Sequence, residues 1–95
     1  MVTFFIPRTN VIESDAGYSV EVLGPVGLRY TEGDRILHID SEMLAGPSGL
    51  IVYSASIKVE PPSHAQESID SGERARIIEN VRAAFKFRGF EIQIA

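Results

Sequence analysis

The clearest pattern in the chain is a helical repeat of apolar residues near its end. From residue 70 to residue 89, apolar side chains recur three and four positions apart and so share one face of an α-helix: Ile77, Ile78, Val81, Ala84 and Phe85. Asp70 is placed to cap the first free N–H groups, with Glu73 three residues later as in a capping box. Gly89 suits the left-handed position that ends a helix. The pattern predicts one amphipathic helix between Asp70 and Gly89.

Ahead of the helix, apolar and polar residues alternate with the period of two that half-buried β-strands show. Residues 18–22 alternate in this way. Residues 26–31 and 35–40 also alternate and are separated by a Glu-Gly turn signal, which predicts a β-hairpin. Residues 50–53 are apolar at every position, as interior strands are, and the alternation of residues 54–59 is compatible with a continuation of that strand.

One more strand is predicted after the helix, because Phe90, Ile92 and Ile94 alternate with polar residues. Strands followed by a helix and a final strand are the order of an α+β fold. We therefore expect a mainly antiparallel β-sheet with one C-terminal amphipathic helix packed on a face, followed by a terminal strand.

The length of 95 residues is typical of one domain, which we assign to residues 1–95. Residues 1–17 are expected to form an irregular N-terminal arm with room for a short edge strand before Pro7. Residues 18–95 are expected to form the compact α+β core.

Composition removes several kinds of site before any geometry is considered. The chain has no cysteine, which excludes disulfide frameworks, thiolate zinc sites, iron–sulfur clusters and cysteine nucleophiles. The sequence also lacks a dinucleotide fingerprint, a phosphate-binding loop and a nucleophile elbow. The two histidines, His38 and His64, lie far apart without metal-ligand spacing. We therefore expect a binding protein, not an enzyme, with no cofactor and no metal.

The net charge of −4 is unevenly distributed along the chain. Residues 1–70 contain ten acids and four bases, a balance of −6, whereas residues 71–95 contain three acids and five bases, a balance of +2. An acidic body disfavours nucleic-acid binding and suits a basic protein partner, although acidity that only aids solubility is the alternative. The apolar run Phe4-Phe5-Ile6, with Val2 beside it, is too short for a membrane span or a signal peptide. A cytoplasmic location without membrane association is therefore expected.

The candidate contact residues are four carboxylates on and beside the predicted hairpin: Glu32, Asp34, Asp40 and Glu42. Three of them, Asp34, Asp40 and Glu42, have the same strand parity, so an extended run would aim them at one side. Such a face is either an acidic surface that meets a basic partner or, less favoured by the spacing, a site for Mg²⁺ or Ca²⁺.

Several short segments also carry a resemblance to a known family. They are Gly27-Leu28-Arg29-Tyr30, Glu42-Met43-Leu44-Ala45-Gly46, Glu60-Pro61-Pro62, Ile69 and Ile77-Ile78-Glu79-Asn80-Val81. With these segments, the stretch from Gly27 to Ile94 resembles the immunity protein 74 family of bacterial polymorphic-toxin systems. The resemblance implies a small non-enzymatic α+β protein that binds and neutralises a cognate toxin domain, and it brings no catalytic residues with it.

Two other interpretations stay open beside the toxin-binding one. The first is a module that self-associates through an exposed edge strand. The second is a metal-dependent enzyme that uses Asp34, Asp40 and Glu42. In the leading interpretation the protein is a monomer or weak homodimer whose partner is a toxin domain.

Overall fold

The computed structural model describes residues 3–24, 26–43, 49–59 and 69–95. Over these ranges the chain forms eight strands, a short 3₁₀ turn at Ser54–Ser56 and one α-helix. The elements are β1 (Phe4–Arg8), β2 (Val11–Ser14), β3 (Tyr18–Val22), β4 (Val26–Glu32), β5 (Arg35–Met43), β6 (Leu50–Val52), β7 (Lys58–Val59), α1 (Ser71–Phe87) and β8 (Ile92–Ile94). Within the described ranges, no helix is long and apolar enough to cross a membrane.

Three features named from the sequence lie outside the described residues. They are residues 44–46 of the family resemblance, the Glu-Pro-Pro run at residues 60–62, and His64.

All the strands of the described chain belong to one sheet. Its order is β1-β2-β3-β4-β5-β6-β8, and β7 pairs with β5 off this path. The neighbours from β1 to β6 are antiparallel, and β8 joins β6 in parallel. A mainly antiparallel sheet with a C-terminal helix and a terminal strand confirms the predicted α+β fold.

The predicted hairpin is formed by β4 and β5. Leu28 pairs with Ile39 and Tyr30 pairs with Leu37, and all four side chains are buried. Because side chains alternate along a strand, one face of the hairpin supplies the core and the other stays open to solvent. The strand predicted at residues 50–53 is observed as β6, which ends at Val52, and its interior position is confirmed because β6 lies between β5 and β8.

The chain does not continue β6 through residues 54–59, as the alternation had allowed. It makes the 3₁₀ turn instead, where the Ser56 hydroxyl donates to the Tyr53 carbonyl and accepts the N–H of Asp40. β7 then pairs with the first half of β5, whereas β6 pairs with the last three residues. A nine-residue β5 is long enough to carry both short strands side by side.

The N-terminal region differs from the irregular arm expected over residues 1–17. It contains the β1–β2 hairpin, which is joined to β3 and anchored by the buried side chains of Val11 and Ile12. The ring of Phe4 in β1 packs near that of Phe87 at the helix end, with 5.2 Å between the ring centroids. β1 is an edge strand, a position that tolerates Pro7 because the outer side of an edge needs no N–H donor.

The helix follows the prediction closely. The Asp70 carboxylate accepts the N–H of Glu73 at 2.7 Å, and all five predicted apolar residues are buried. At the other end, Gly89 has φ +88° and the N–H of Phe90 donates to the carbonyl of Phe85 at 2.9 Å, as in a Schellman motif. The Glu73 side chain pairs with Arg35 of β5, so of the two hydrogen bonds of a capping box only the one accepted by the Asp70 side chain is formed.

The core lies between the helix and the inner face of the sheet. Its fully buried members come from both layers: Val20, Leu28, Tyr30, Leu37, Ile39 and Val52 from strands, and Ile77, Val81 and Ala84 from the helix. Each large apolar side chain buried in this way contributes roughly 1.5–3 kcal/mol. The packing fixes the position of the helix, and with it the two surfaces described next.

Candidate functional site

The four carboxylates predicted as contacts lie in three different places. Glu32 ends β4 and faces the helix, where it meets Arg76. Asp34 lies in the exposed turn of the hairpin. Asp40 and Glu42 are exposed on the other face of β5, because the residues that alternate with them are buried. Of the three carboxylates expected on one side, only Asp40 and Glu42 share a strand face, since Asp34 belongs to the turn and not to the strand.

Glu32 is held by groups from both layers of the fold. Its carboxylate accepts the Tyr30 hydroxyl at 2.8 Å and the Arg76 guanidinium at 2.6 Å, through both oxygens for the arginine. Burial raises the pKa of Glu32, but the hydrogen bonds from Tyr30 and Arg76 and the positive charge of Arg76 together lower it below its usual value. The same hydrogen bond and charge pair raise the pKa of Arg76.

A polar chain continues from Glu32 into the helix. Asn80 donates from Nδ2 to the Tyr30 hydroxyl at 2.8 Å, and the Tyr18 hydroxyl donates to the Asn80 carbonyl at 3.3 Å. The rings of Tyr18 and Tyr30 stack with centroids 5.5 Å apart. Burial is the largest cause of the raised pKa of Tyr30, so its hydroxyl stays protonated. These contacts orient the helix on the hairpin, which is a structural role.

The opposite face of the sheet carries a cavity of about 350 Å³, which we call the open-face cavity. It is lined by Gly27, His38, Asp40, Ser41, Glu42 and Tyr53. Two of the predicted contact residues, Asp40 and Glu42, are therefore together in it. The sequence alternation indicated these two, but it gave no reason to add Gly27 or Tyr53, which come from other strands or their ends.

An irregularity in the β4–β5 pairing forms the floor of the open-face cavity. Val26 pairs with Glu42 but Leu28 pairs with Ile39, so β5 has one more residue here than β4. The N–H of Gly27 donates to the Ser41 hydroxyl at 3.1 Å.

Gly27 has φ +94°, and a Cβ at this position would lie 3.2 Å from Nε2 of His38. The missing side chain therefore leaves room for the imidazole.

The imidazole of His38 lies beside a carboxylate in this cavity. Its Nδ1 is 3.5 Å from Oδ1 of Asp40, which is too long for a good hydrogen bond. That nitrogen is buried without a hydrogen-bond partner among the described residues. Asp40 itself is open to solvent, with 61% of its side chain exposed.

Tyr53 and Glu42 form the other side of the open-face cavity. Desolvation, the negative charge of Glu42 and a hydrogen bond to that carboxylate raise the pKa of Tyr53. The cavity thus presents two carboxylates and a neutral phenol, which are groups able to accept hydrogen bonds. Its serine is a poor nucleophile, because Ser41 is 2% exposed and its oxygen accepts the Gly27 N–H. No group of three or more His, Asp or Glu side chains in the described ranges is arranged to hold a metal ion.

A second concave surface lies at the end of the sheet where the helix ends, and we call it the end groove. Its volume is about 370 Å³. The apolar part of its lining consists of Ile12, Val22, Met43, Leu50, Phe85 and Phe90, and Arg88 and Asn10 add polar groups. Met43 is 58% exposed and Phe90 is 44% exposed, so both side chains are open to an incoming group.

The end groove was not found from the sequence. Phe90 was assigned to the buried side of the terminal strand, but it precedes β8 and directly follows Gly89 in the turn that ends the helix. Met43 was treated only as part of a family segment. The available signal is the position of Phe90 after the helix-ending glycine, where an apolar residue commonly contacts the last turn of the helix.

Comparison with known proteins places this fold in a family. The sequence model of the immunity protein 74 family matches residues 22–95. The chain belongs to this family. The match covers β4 to β8 and the helix, and therefore all the residues of the open-face cavity. Neither the curated proteins nor the solved structures give a match. Membership confirms the resemblance seen in the sequence, is consistent with a non-enzymatic role, and implies in general terms that the partner is a toxin.

Proposed function

We propose that this protein neutralises a cognate toxin by binding it, and that the open-face cavity is part of the binding surface. The observation that carries this proposal is the pairing of Asp40 and Glu42 on one exposed strand face in a member of an immunity-protein family. Two carboxylates beside a phenol form an acceptor set for an arginine or lysine side chain. The net charge of −4 favours encounter with a basic toxin surface.

Catalysis is the less supported function. The open-face cavity brings His38, Asp40 and Ser41 together, which are residue types found in hydrolytic sites. Ser41 is nearly inaccessible and already accepts a backbone N–H. The arrangement therefore supports recognition of a cation better than attack on a substrate.

Glu32 and Asp34, the other two predicted contact residues, are less suited to bind the toxin than Asp40 and Glu42. The Glu32 carboxylate is occupied by Arg76 and Tyr30, so a partner would compete with the helix for it. Asp34 is exposed in the hairpin turn and remains a candidate for a peripheral contact. We therefore place the main contact on Asp40 and Glu42.

The test is to co-express the protein with the toxin encoded beside it and to measure binding and survival. Wild type is expected to co-purify with the toxin and to restore growth. The double variant Asp40→Asn/Glu42→Gln is expected to bind at least about tenfold more weakly, equivalent to about 1.4 kcal/mol, while its melting temperature stays near that of wild type because both side chains are exposed.

The matched control is the variant Glu79→Gln, which removes an exposed carboxylate from the helix surface. It is expected to bind as wild type does. Absence of both complex and rescue with wild type would refute the proposed function. Unchanged affinity of the double variant would place the interface elsewhere.

A further inference from the structure

The end groove combines a concave apolar surface with exposed anchoring side chains. A volume of about 370 Å³ lies within the range of roughly 300–1,000 Å³ that pockets for small ligands have. Met43 and Phe90 are exposed at its mouth. Methionine is flexible and adapts its shape to an incoming group.

Hydrogen bonds at the helix end and at two strand ends connect residues that line this groove. Phe85 lines the groove from the buried face of α1. In the Schellman turn, the N–H of Phe90 donates to the carbonyl of Phe85 at 2.9 Å. On the other side, Asn10 donates from Nδ2 to the Val22 carbonyl at 3.1 Å, which joins two of the contributing strand ends. A groove with fixed walls binds with less loss of conformational freedom than a mobile surface.

The charge at the groove specifies what it accepts. Among the described residues that line it, Arg88 is the only charged one, and no described carboxylate forms an ion pair with it. A guanidinium that has no ion-pair partner among the described residues and lies beside apolar walls matches a carboxylate next to an apolar group, because arginine binds carboxylates with two parallel hydrogen bonds. The groove therefore has the opposite preference from the open-face cavity.

We infer that the end groove binds a segment of the toxin in which a large apolar side chain stands next to a carboxylate. The inference rests on the proposed function for the identity of the partner, but the chemistry of the groove is argued from its own residues. Glu42 and Met43 are neighbours in β5 and line the two different surfaces. One toxin that covers the end of this strand would therefore meet both.

The direct test uses a small probe and the full chain, so it does not require the toxin. The ¹⁵N-labelled protein is titrated with 3-phenylpropionate, which joins an aromatic ring to a carboxylate, and in parallel with its neutral amide. Amide signals of Leu50, Phe85 and Phe90 are expected to shift with a dissociation constant of about 1 mM. The neutral amide is expected to bind about two- to fivefold more weakly, the range of one exposed charge pair.

Two variants and their controls separate the apolar part of the groove from its charge. Arg88→Gln is expected to equalise the affinities of the two probes, whereas Arg82→Gln, which changes an arginine elsewhere on the helix, leaves their difference intact. Phe90→Ala is expected to weaken both probes. Phe5→Ala, which removes an exposed ring from the edge strand, should weaken neither.

Several outcomes would overturn the inference. Shifts confined to another surface, or equal affinity of wild type for both probes, would show that the groove does not select this chemistry. Groove signals that change with protein concentration alone would assign the groove to a second copy of the chain. With a toxin that wild type binds, unchanged affinity of Arg88→Gln and Phe90→Ala would reject the groove while leaving the proposed function intact.

Discussion

At Gly27, a backbone requirement and a side-chain contact coincide. The residue has φ +94°, in the region that residues with a Cβ rarely adopt, and the added Cβ of an alanine would press on Nε2 of His38 at 3.2 Å. We expect Gly27→Ala to lower the free energy of unfolding by about 1–3 kcal/mol, the usual cost of such strain. Urea denaturation followed by circular dichroism measures this loss.

Gly17 offers a matched control for the same substitution. It has a similar φ of +99°, but a Cβ there would meet nothing within 4 Å. Gly17→Ala should therefore lower the free energy of unfolding only through its strained φ. Gly27→Ala in a His38→Ala background should lower it by the same amount. Equal losses from Gly17→Ala and Gly27→Ala in the wild-type background would show that the imidazole contact carries no free energy.

At the scale of elements, the helix supplies one of the two layers of the core. Ile78 is 7% exposed on the buried face of α1, and an ionised carboxylate there would lose hydration without gaining a partner. Since domains of this size are stable by only about 5–15 kcal/mol, we expect Ile78→Asp to abolish cooperative thermal unfolding measured by circular dichroism. Ala83→Asp, on the exposed side of the same helix, is expected to melt cooperatively. A wild-type melting temperature for Ile78→Asp would contradict the helix orientation.

The sequence predicted those elements whose start, end and turn signals lie within one continuous segment. The helix carries its cap at Asp70 and its end at Gly89 within one continuous segment, and the β4–β5 hairpin likewise carries its own turn. In the β1–β2 hairpin only the short edge strand near Pro7 has a local signal, because Val11 and Ile12 become strand residues through pairing with β3. The end of β6 was also missed, since the turn at Ser56 depends on a hydrogen bond to Asp40 of another strand.

The same distinction applies to the candidate surfaces. The alternation of β5 predicted that Asp40 and Glu42 share a face, because parity is a local property of one strand. It gave no means of knowing that Glu32 meets Arg76, which lies 44 residues later. The end groove was equally hidden, since Met43 and Phe90 come together only after the helix has packed on the sheet.

On the scale of the whole molecule, the two layers are joined at one end by charges. Glu32 and Arg35 of the hairpin bind Arg76 and Glu73 of the helix, at the end opposite the end groove. The apolar core holds the helix on the sheet, and this cluster adds ion pairs between the helix and the hairpin. Within this cluster the pKa of Glu32 is lowered, so part of the free energy of unfolding depends on pH.

The sign of that dependence follows from the direction of the shift. The folded pKa of Glu32 lies below its unfolded value of about 4.3, so the carboxylate contributes stability above the unfolded pKa and loses it as the pH falls through the folded pKa. We expect wild type to lose more stability than Glu32→Gln between about pH 6 and pH 3, measured by urea denaturation at each pH.

Two further variants identify the source of this pH dependence. Arg76→Gln removes the guanidinium that lowers the pKa of Glu32, and it should reduce the loss of stability on acidification as Glu32→Gln does. Glu79→Gln, which changes a carboxylate whose side chain is 69% exposed, should keep the wild-type loss. If the Arg76→Gln protein lost as much stability as wild type over the same pH range, the pair between helix and hairpin would not be the origin of the effect, and the helix would be held by its apolar face alone.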